Sequence, residues 1–358
     1  MKQERYYISI DILKTVAAVL TLLFHCNIHL GIEFWGFTRF ISQCAIVMDL
    51  FFIISGYALF IGYHTKIWNA ESLSTFYKRR LISIYPLYLL VIVAFCVIPV
   101  WRAPIKMMLI SLPVELGLMQ SWFSGMFGFS HNGGTWFLSC LAFCYAVFPV
   151  LLIMTKCTTH KIRHILLILC WLLCASIPFM IICLELPNAY SNPLLRLLEF
   201  FGGILLAAEL EDRTIFQHPN RYLFGVILTG ACLIVAVTRL WSVEILRNGY
   251  VTYGFVTFPL FLVLITMSIS AECGYKRLLP LTKFWRFCGD HAYAVFMAQF
   301  FIWLPIRKIK ESQPQMFSTY DNEKMLLLAI ALCAILSVLL QDCYNKPVQR
   351  WLRKRFDK

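Results

Sequence analysis

The sequence contains few charged residues for its length. Asp, Glu, Lys and Arg make up 14% of the 358 residues, whereas a soluble domain typically has about 25%. The 14 cysteines are scattered and include no CxxC pair, so the spacing predicts neither a disulfide framework nor a cysteine metal site. We interpret the cysteines as small apolar side chains. The low charge excludes a soluble enzyme, a disordered chain and a free nucleic-acid-binding domain.

Hydrophobic residues, by contrast, make up 60% of the chain, and the mean hydropathy is +0.72. A transmembrane helix needs about 20 mostly apolar residues, because each residue adds about 1.5 Å and the hydrocarbon core is about 30 Å thick. We therefore predict an all-α fold, a polytopic transmembrane helical bundle that forms one integral-membrane domain over residues 1–358. Ten spans are predicted near residues 6–28, 40–63, 81–99, 135–155, 165–184, 194–211, 221–240, 251–271, 285–306 and 325–343.

The basic residues predict the topology. The formal net charge is +13, and in membrane proteins Lys and Arg concentrate in cytoplasmic loops. With ten spans and a cytoplasmic N-terminus, most basic residues fall on the cytoplasmic side, so both termini are predicted to be cytoplasmic. The apolar stretch 107–123 contains Pro113 and Glu115, and a full crossing there would move the later basic loops outside. We therefore predict that this stretch does not cross, as in a re-entrant or interfacial helix.

The first span carries three ionisable residues, Asp11, Lys14 and His25. Ionisable groups in hydrocarbon are costly and indicate function. Lys14 and His25 are 11 residues apart, so on a helix they differ by roughly 20° and share a face, about 16 Å apart along the axis. Asp11 precedes Lys14 by three residues and can pair with it.

Structural alternatives exist for both basic residues. Lys14 could form a purely structural pair with Asp11 or extend to the cytoplasmic surface, and His25 could be an interfacial histidine bonded to a backbone carbonyl. His29 lies one turn after His25, but the sequence offers no third ligand, so no metal is expected.

Six short motifs, in order along nearly the whole chain, resemble those of the membrane-bound acyltransferase-3 family. They are Asp11–Lys14 with His25, Phe51–Tyr57, Phe76–Arg80 with Tyr85–Tyr88, Gly134–Leu138 with Tyr145 and Pro149, Arg196–Gly203, and Tyr344–Pro347 with Arg350. The sequence departs from the family at three positions: Lys14 replaces the more common arginine, Ser83 replaces a second arginine after Arg80, and Gln299 replaces a histidine.

The resemblance implies an O-acyltransferase of the bacterial inner membrane. It would move an acyl group, most simply acetyl, from acyl-CoA to a hydroxyl of a cell-surface glycan or glycolipid. Acyl-CoA would be a co-substrate, and no bound cofactor is implied. His25 would be the general base, with Lys14 and Asp11 at the other end of the same helix face.

Other residues are predicted to hold the two substrates. Lys78, Arg79 and Arg80 form a cytoplasmic basic cluster that could bind the phosphates of the donor, or could only anchor the topology. On the outer side, the candidates for the acceptor or the oxyanion are Asn132, Trp136, Arg196, Glu199, Asp49 and the backbone of Gly133–Gly134. Asp49 could orient His25, Glu199 could simply pair with Arg196, and His131 is a second candidate base.

Two other function classes fit the composition. A transporter or flippase of a lipid-linked saccharide would also have ten spans and buried charges, and it would show an internal repeat, which we do not find by inspection. A non-catalytic membrane scaffold would not depend on His25. The order of the motifs favours the enzyme.

Overall fold

The structure is a computed structural model. It describes residues 6–66, 68–98, 105–123, 133–183, 189–211, 219–240, 254–274, 281–312 and 322–356. The regular elements of this part of the chain are helices, and it contains no strand, so the predicted all-α fold is confirmed.

The described part of the chain contains twelve α-helices of more than one turn. They are α1 (Ile8–Leu30), α2 (Val47–Tyr63), α3 (Ala70–Val97), α4 (Ile105–Leu116), α5 (Trp136–Lys156), α6 (His160–Cys183), α7 (Pro193–Glu211), α8 (Pro219–Leu240), α9 (Gly254–Gly274), α10 (Thr282–Ser312), α11 (Asn322–Val338) and α12 (Lys346–Phe356). A π-helical segment, Leu339–Asn345, connects α11 to α12.

The predicted polytopic character is confirmed. Among the described residues, eight helical segments are long and apolar enough to cross a membrane: α1, α2 with the turn before it, α3, α5, α6, α8, α9 and the continuous run from α11 to α12. The other two predicted spans coincide with α7 and α10, which are also long enough but more polar. Four charged residues, Arg196, Glu199, Glu209 and Glu211, lie within α7.

Helix α4 is much shorter than the spans. Its 12 residues extend about 18 Å, which is too short for a hydrocarbon core of about 30 Å. Two tyrosines of α3 hold its C-terminal end: Tyr88 donates to the carbonyl of Glu115 at 2.6 Å and Tyr85 to that of Leu116 at 3.1 Å. The length of α4 agrees with the prediction that this stretch does not cross.

The chain divides into two compact units. Unit 1 comprises Met1–Ala17, Gln43–Ile67 and Phe143–Asp290, and unit 2 comprises Ala18–Ser42, Trp68–Ala142 and His291–Lys358. The boundaries fall within α1, α5 and α10, so each of these helices contributes residues to both units.

Unit 1 is held together by a close approach of α2 and α7. A Cβ atom on Gly56 would overlap the carbonyl oxygen of Phe200, and one on Gly203 would overlap the carbonyl oxygen of Ile53. Helices in membranes associate through such small residues, because apolar side chains gain little by leaving lipid. Side chains at Gly56 and Gly203 would therefore separate the two helices.

Unit 2 is held together by hydrogen bonds onto the backbone of α3. Tyr293 of α10 donates to the carbonyl of Ile84 at 2.8 Å, and Gln349 of α12 donates to that of Ser83 at 3.0 Å. Phe95 of α3 packs edge-on against Phe301 of α10, with ring centroids 5.1 Å apart.

Candidate functional site

The predicted site residues fall in both units. Asp11, Lys14, Asp49, Arg196 and Glu199 belong to unit 1, and His25, Lys78, Arg79, Arg80 and Trp136 belong to unit 2. Asn132 and His131 lie outside the described residues.

Asp11 lies at the centre of a small polar group near the start of α1. Its side chain accepts a hydrogen bond from Tyr6 Oη and lies 3.4 Å from Lys14 Nζ, so the predicted pair with Lys14 is present. Gly289 of α10 packs against Asp11 so closely that a Cβ there would overlap the carboxylate. Burial, and secondarily the bond to Asp11, raises the pKa of Tyr6 to about 12. The phenol therefore remains a donor at neutral pH.

Glu272 is a buried carboxylate that sequence reasoning missed. Its two oxygens accept hydrogen bonds from the backbone N–H groups of Ile8 and Ser9, at 2.9 and 2.8 Å. These donors belong to the first turn of α1 and have no partner within the helix, and a negative charge there also suits the helix dipole. Glu272 therefore caps the helix that carries Asp11 and Lys14.

His25 lies in an aromatic group of unit 2. Its ring centroid is 5.2 Å from that of His29, 5.3 Å from Phe300 and 6.2 Å from Trp303. His29 stacks on Trp303 at 3.6 Å. Within the described chain, the buried Nδ1 atom of His25 has no hydrogen-bond partner, so this nitrogen is not bonded to a backbone carbonyl.

Three more buried polar atoms, two of Gln299 and one of Trp303, have no hydrogen-bond partner in the described chain. Gln299 is completely buried, at 0% exposure, and neither its Nε2 nor its Oε1 has a partner in the described ranges. The same holds for Nε1 of Trp303. Leaving a buried donor or acceptor unpaired costs about 1–3 kcal/mol. We call His25, His29, Gln299, Phe300 and Trp303 the His25 cluster. In the sequence, Gln299 was visible only as a departure from a family motif.

The Gly134–Trp136 motif packs against the His25 cluster. A Cβ at Gly134 would overlap the ring of Phe300, so only glycine allows this approach. Hydrogen bonds hold the segment in place: Gln120 donates to the carbonyl of Thr135 at 3.1 Å and Ser121 to that of Trp136 at 2.7 Å. The side chain of Trp136 is buried. Gln120 and Ser121 were not anticipated from the sequence.

Arg196 lies in a buried charged group of unit 1. Its Nη1 is 2.6 Å from Asp49 Oδ1 and 2.7 Å from Glu199 Oε1, and its Nε donates to the carbonyl of Tyr190 at 2.6 Å. Thr257 donates to the other oxygen of Asp49 at 2.8 Å. We call these five residues the Arg196 cluster. The pair with Glu199 was predicted, whereas Asp49, predicted to orient His25, bonds to Arg196 and Thr257.

The basic residues of α3 lie at the surface. Lys78 and Arg79 are exposed, and Arg80 is half-buried with its guanidinium 6.0 Å from the ring of Phe76. A reciprocal capping box of Asn69 and Ser72 fixes the start of this helix. Lys78 and Arg79 are therefore accessible to an anionic ligand, and their role in donor binding stays a prediction.

Another charged group joins α6 and α7. Glu209 lies 3.2 Å from His160, 3.8 Å from Arg163 and 3.4 Å from His164. In the described ranges, no group of three or more His, Cys, Asp or Glu residues is placed to hold a metal ion.

A family model described as an acyltransferase domain, Acyl_transf_3, matches residues 7–341. No curated protein and no solved structure matches the chain.

Proposed function

The chain belongs to the Acyl_transf_3 family of acyltransferases, and we propose that it O-acylates a cell-surface glycan or glycolipid. The family and the apolar helices make it a multi-pass membrane acyltransferase. The finer proposal is transfer of an acyl group, most simply acetyl, from acyl-CoA to a sugar hydroxyl. The proposed location is the bacterial inner membrane.

The observation that carries this proposal is that Nδ1 of His25 has no hydrogen-bond partner among the described residues. An imidazole with a free nitrogen can take a proton from a hydroxyl as its oxygen attacks the thioester carbon. The new C–O bond forms the ester, the C–S bond breaks, and the thiol of CoA leaves with a proton returned from the imidazolium. Packing against Phe300 and His29 would hold the ring in position for both transfers.

The donor would be held from the cytoplasmic side. We propose that Lys78, Arg79 and Arg80 bind the phosphates of acyl-CoA, because Arg presents a planar fork and Lys a mobile point charge to phosphate oxygens. The exposure of Lys78 and Arg79 supports this role. Lys14, with Asp11, lies on the same face of α1 as His25, about 16 Å away along the axis, and we propose that it contacts the donor.

The acceptor would be held near the His25 cluster. Asn132 and Trp136 flank the Gly134 segment that packs on Phe300, and we propose that this segment supplies backbone or side-chain donors to the developing oxyanion. Nη1 of Arg196 is engaged by both Asp49 and Glu199. In this proposal the Arg196 cluster therefore stabilises unit 1.

The test measures the acyl content of surface polysaccharide in cells that lack the gene, complemented at equal membrane level with wild type, His25→Ala or His164→Ala. Removing a general base is expected to lower the rate about 10²–10⁴-fold, so His25→Ala should restore almost no acylation. His164→Ala removes a histidine that is half exposed and should restore it fully.

Two results would contradict the proposal. Full acylation with His25→Ala would place the base elsewhere, with His131 the next candidate. A polysaccharide that never carries an acyl group, but whose export fails without the gene, would support the transporter hypothesis.

A further inference from the structure

The unpaired carboxamide of Gln299 indicates a ligand that both accepts and donates hydrogen bonds. Nε2 of Gln299 is a donor and Oε1 is an acceptor, and both are buried without a partner among the described residues. Resting on the proposed function, we propose that Gln299 and Trp303 form a subsite for two neighbouring hydroxyl groups of the acceptor sugar.

Gln299 lies one helical turn before Trp303, whose ring is close to that of the proposed base. Gln299 and Trp303 are four residues apart on α10, so they are neighbours on one face of the helix. The ring of Trp303 stacks on His29 and its centroid is 6.2 Å from that of His25. A ligand bonded to Gln299 would therefore lie about one helical turn from the ring that contacts His29.

The chemistry of the two substrates favours the sugar as this ligand. A thioester carbonyl only accepts hydrogen bonds and would leave Oε1 of Gln299 unpaired. The amides of the CoA arm are trans, so their N–H and C=O groups point in opposite directions and cannot both meet one carboxamide. Adjacent hydroxyls lie side by side and each can donate and accept. One hydroxyl can donate to Oε1 while its neighbour accepts from Nε2.

The indole of Trp303 extends this pattern. Its Nε1 is a donor only and is also buried without a partner in the described chain. It can donate to a further sugar oxygen. Together the three atoms would select an acceptor by the arrangement of its hydroxyls, and would thereby decide which hydroxyl reaches His25.

The test uses purified protein in lipid nanodiscs with acetyl-CoA as donor. Acceptors are the surface polysaccharide and the methyl pyranosides of glucose, galactose, mannose and rhamnose, followed by the monodeoxy forms of the best pyranoside. Gln299→Leu is compared with the matched control Gln349→Leu, whose side chain bonds to Ser83 and Asn345.

We expect Gln299→Leu to raise the KM for the acceptor on the order of 10–100-fold, because the sugar hydroxyls lose their partner. The KM for acetyl-CoA should not change. For wild type, the acceptor KM should rise by a similar factor when a monodeoxy sugar lacks one of the bonded hydroxyls. For Gln299→Leu, removing the same hydroxyl should not raise the acceptor KM further. Gln349→Leu should keep the wild-type acceptor KM and its discrimination against deoxy sugars.

Thermal unfolding separates lost binding from lost structure. Gln299→Leu removes an unpaired buried amide, so its unfolding temperature should equal or exceed that of wild type. A large fall would show that Gln299 is held by the protein and would overturn the inference.

Other outcomes also distinguish the two proposals. An unchanged acceptor KM would show that the amide serves only a buried water, and a raised KM for acetyl-CoA alone would assign Gln299 to the donor. Either result overturns the inference while the proposed function stands. If wild type transfers no acetyl to any pyranoside or to the polysaccharide, the proposed function fails, and the inference fails with it.

Discussion

The Arg196 cluster and the His25 cluster are both buried and polar, but they differ in how many of their polar atoms have partners in the described chain. In the Arg196 cluster, Arg196 contacts Asp49 and Glu199 at 2.6 and 2.7 Å, and Thr257 donates a hydrogen bond to the other carboxylate oxygen of Asp49. In the second, the described chain offers no partner to Nδ1 of His25 or to the carboxamide of Gln299.

This difference in pairing is what we expect between a structural cluster and a cluster that binds substrate. Buried charges that bond to one another are stable only as a set, because each partner is costly to leave alone in a low dielectric. Polar atoms that the protein leaves unpaired carry a cost in stability that a ligand can offset. This difference agrees with the proposed roles, a structural one for the Arg196 cluster and substrate binding for the His25 cluster.

The largest effect on stability is expected from Arg196→Met. The substitution would leave Asp49 and Glu199 buried without their cation, and breaking a buried pair in this way costs about 3–5 kcal/mol. The measurement is the free energy of unfolding of the purified protein in denaturant. Arg307→Met is the control, because the Arg307–Glu311 pair is exposed and should be worth about 0–1 kcal/mol. If the two substitutions lowered the free energy of unfolding equally, the structural role assigned to Arg196 would be contradicted.

A smaller effect is expected from Gly203→Ala, which tests how the Arg196 cluster is assembled. Gly203 lies on α7 with Arg196, and the added methyl group would overlap the backbone of α2, the helix of Asp49. Overpacking of this kind costs about 1–3 kcal/mol. Gly62→Ala is the matched control, because nothing lies within 4 Å of a Cβ at that position of α2. The same unfolding measurement applies, and a Gly203→Ala protein as stable as Gly62→Ala would contradict the close contact.

The smallest effect on stability is expected at the surface, from Lys78→Ala with Arg79→Ala. Both side chains are exposed, so the free energy of unfolding should change by less than about 0.5 kcal/mol for each. The KM for acyl-CoA should nevertheless rise, because two cations that we propose to bind phosphate are lost. Arg353→Ala, an exposed basic residue of α12, should leave that KM unchanged. An unchanged KM for acyl-CoA in the double variant would contradict donor binding by Lys78 and Arg79 and would favour a role only in membrane topology.

Much of the fold could be predicted from the sequence. Each predicted span coincides with a helix of the structure, and α4 has a length that fits the prediction for 107–123. Local pairs could also be predicted, since Asp11 with Lys14 and Arg196 with Glu199 are both three residues apart. These features depend on helical periodicity and on the length of apolar runs, and both can be read directly from the order of the residues.

The partners that are distant in sequence could not be predicted. Asp49 and Arg196 are separated by 147 residues, and Glu272 caps an N–H group 264 residues away. For Asp49, the sequence suggested a role at His25, and the structure gives it Arg196 and Thr257 as partners. Gln299 was noticed only for a mismatch with a motif, because the sequence cannot show that a carboxamide is buried without a partner.

The class of molecule, its helices and its family follow from the sequence, because composition, apolar length and ordered motifs are properties of the chain. The packed structure was needed to show which polar groups bond to one another and which have no partner in the described chain. Pairing depends on which helices approach closely, and that is set by contacts such as those of Gly56 and Gly203. The distinction between a buried charge paired within the protein and a buried amide with no partner in the described chain therefore appears only after the helices have packed.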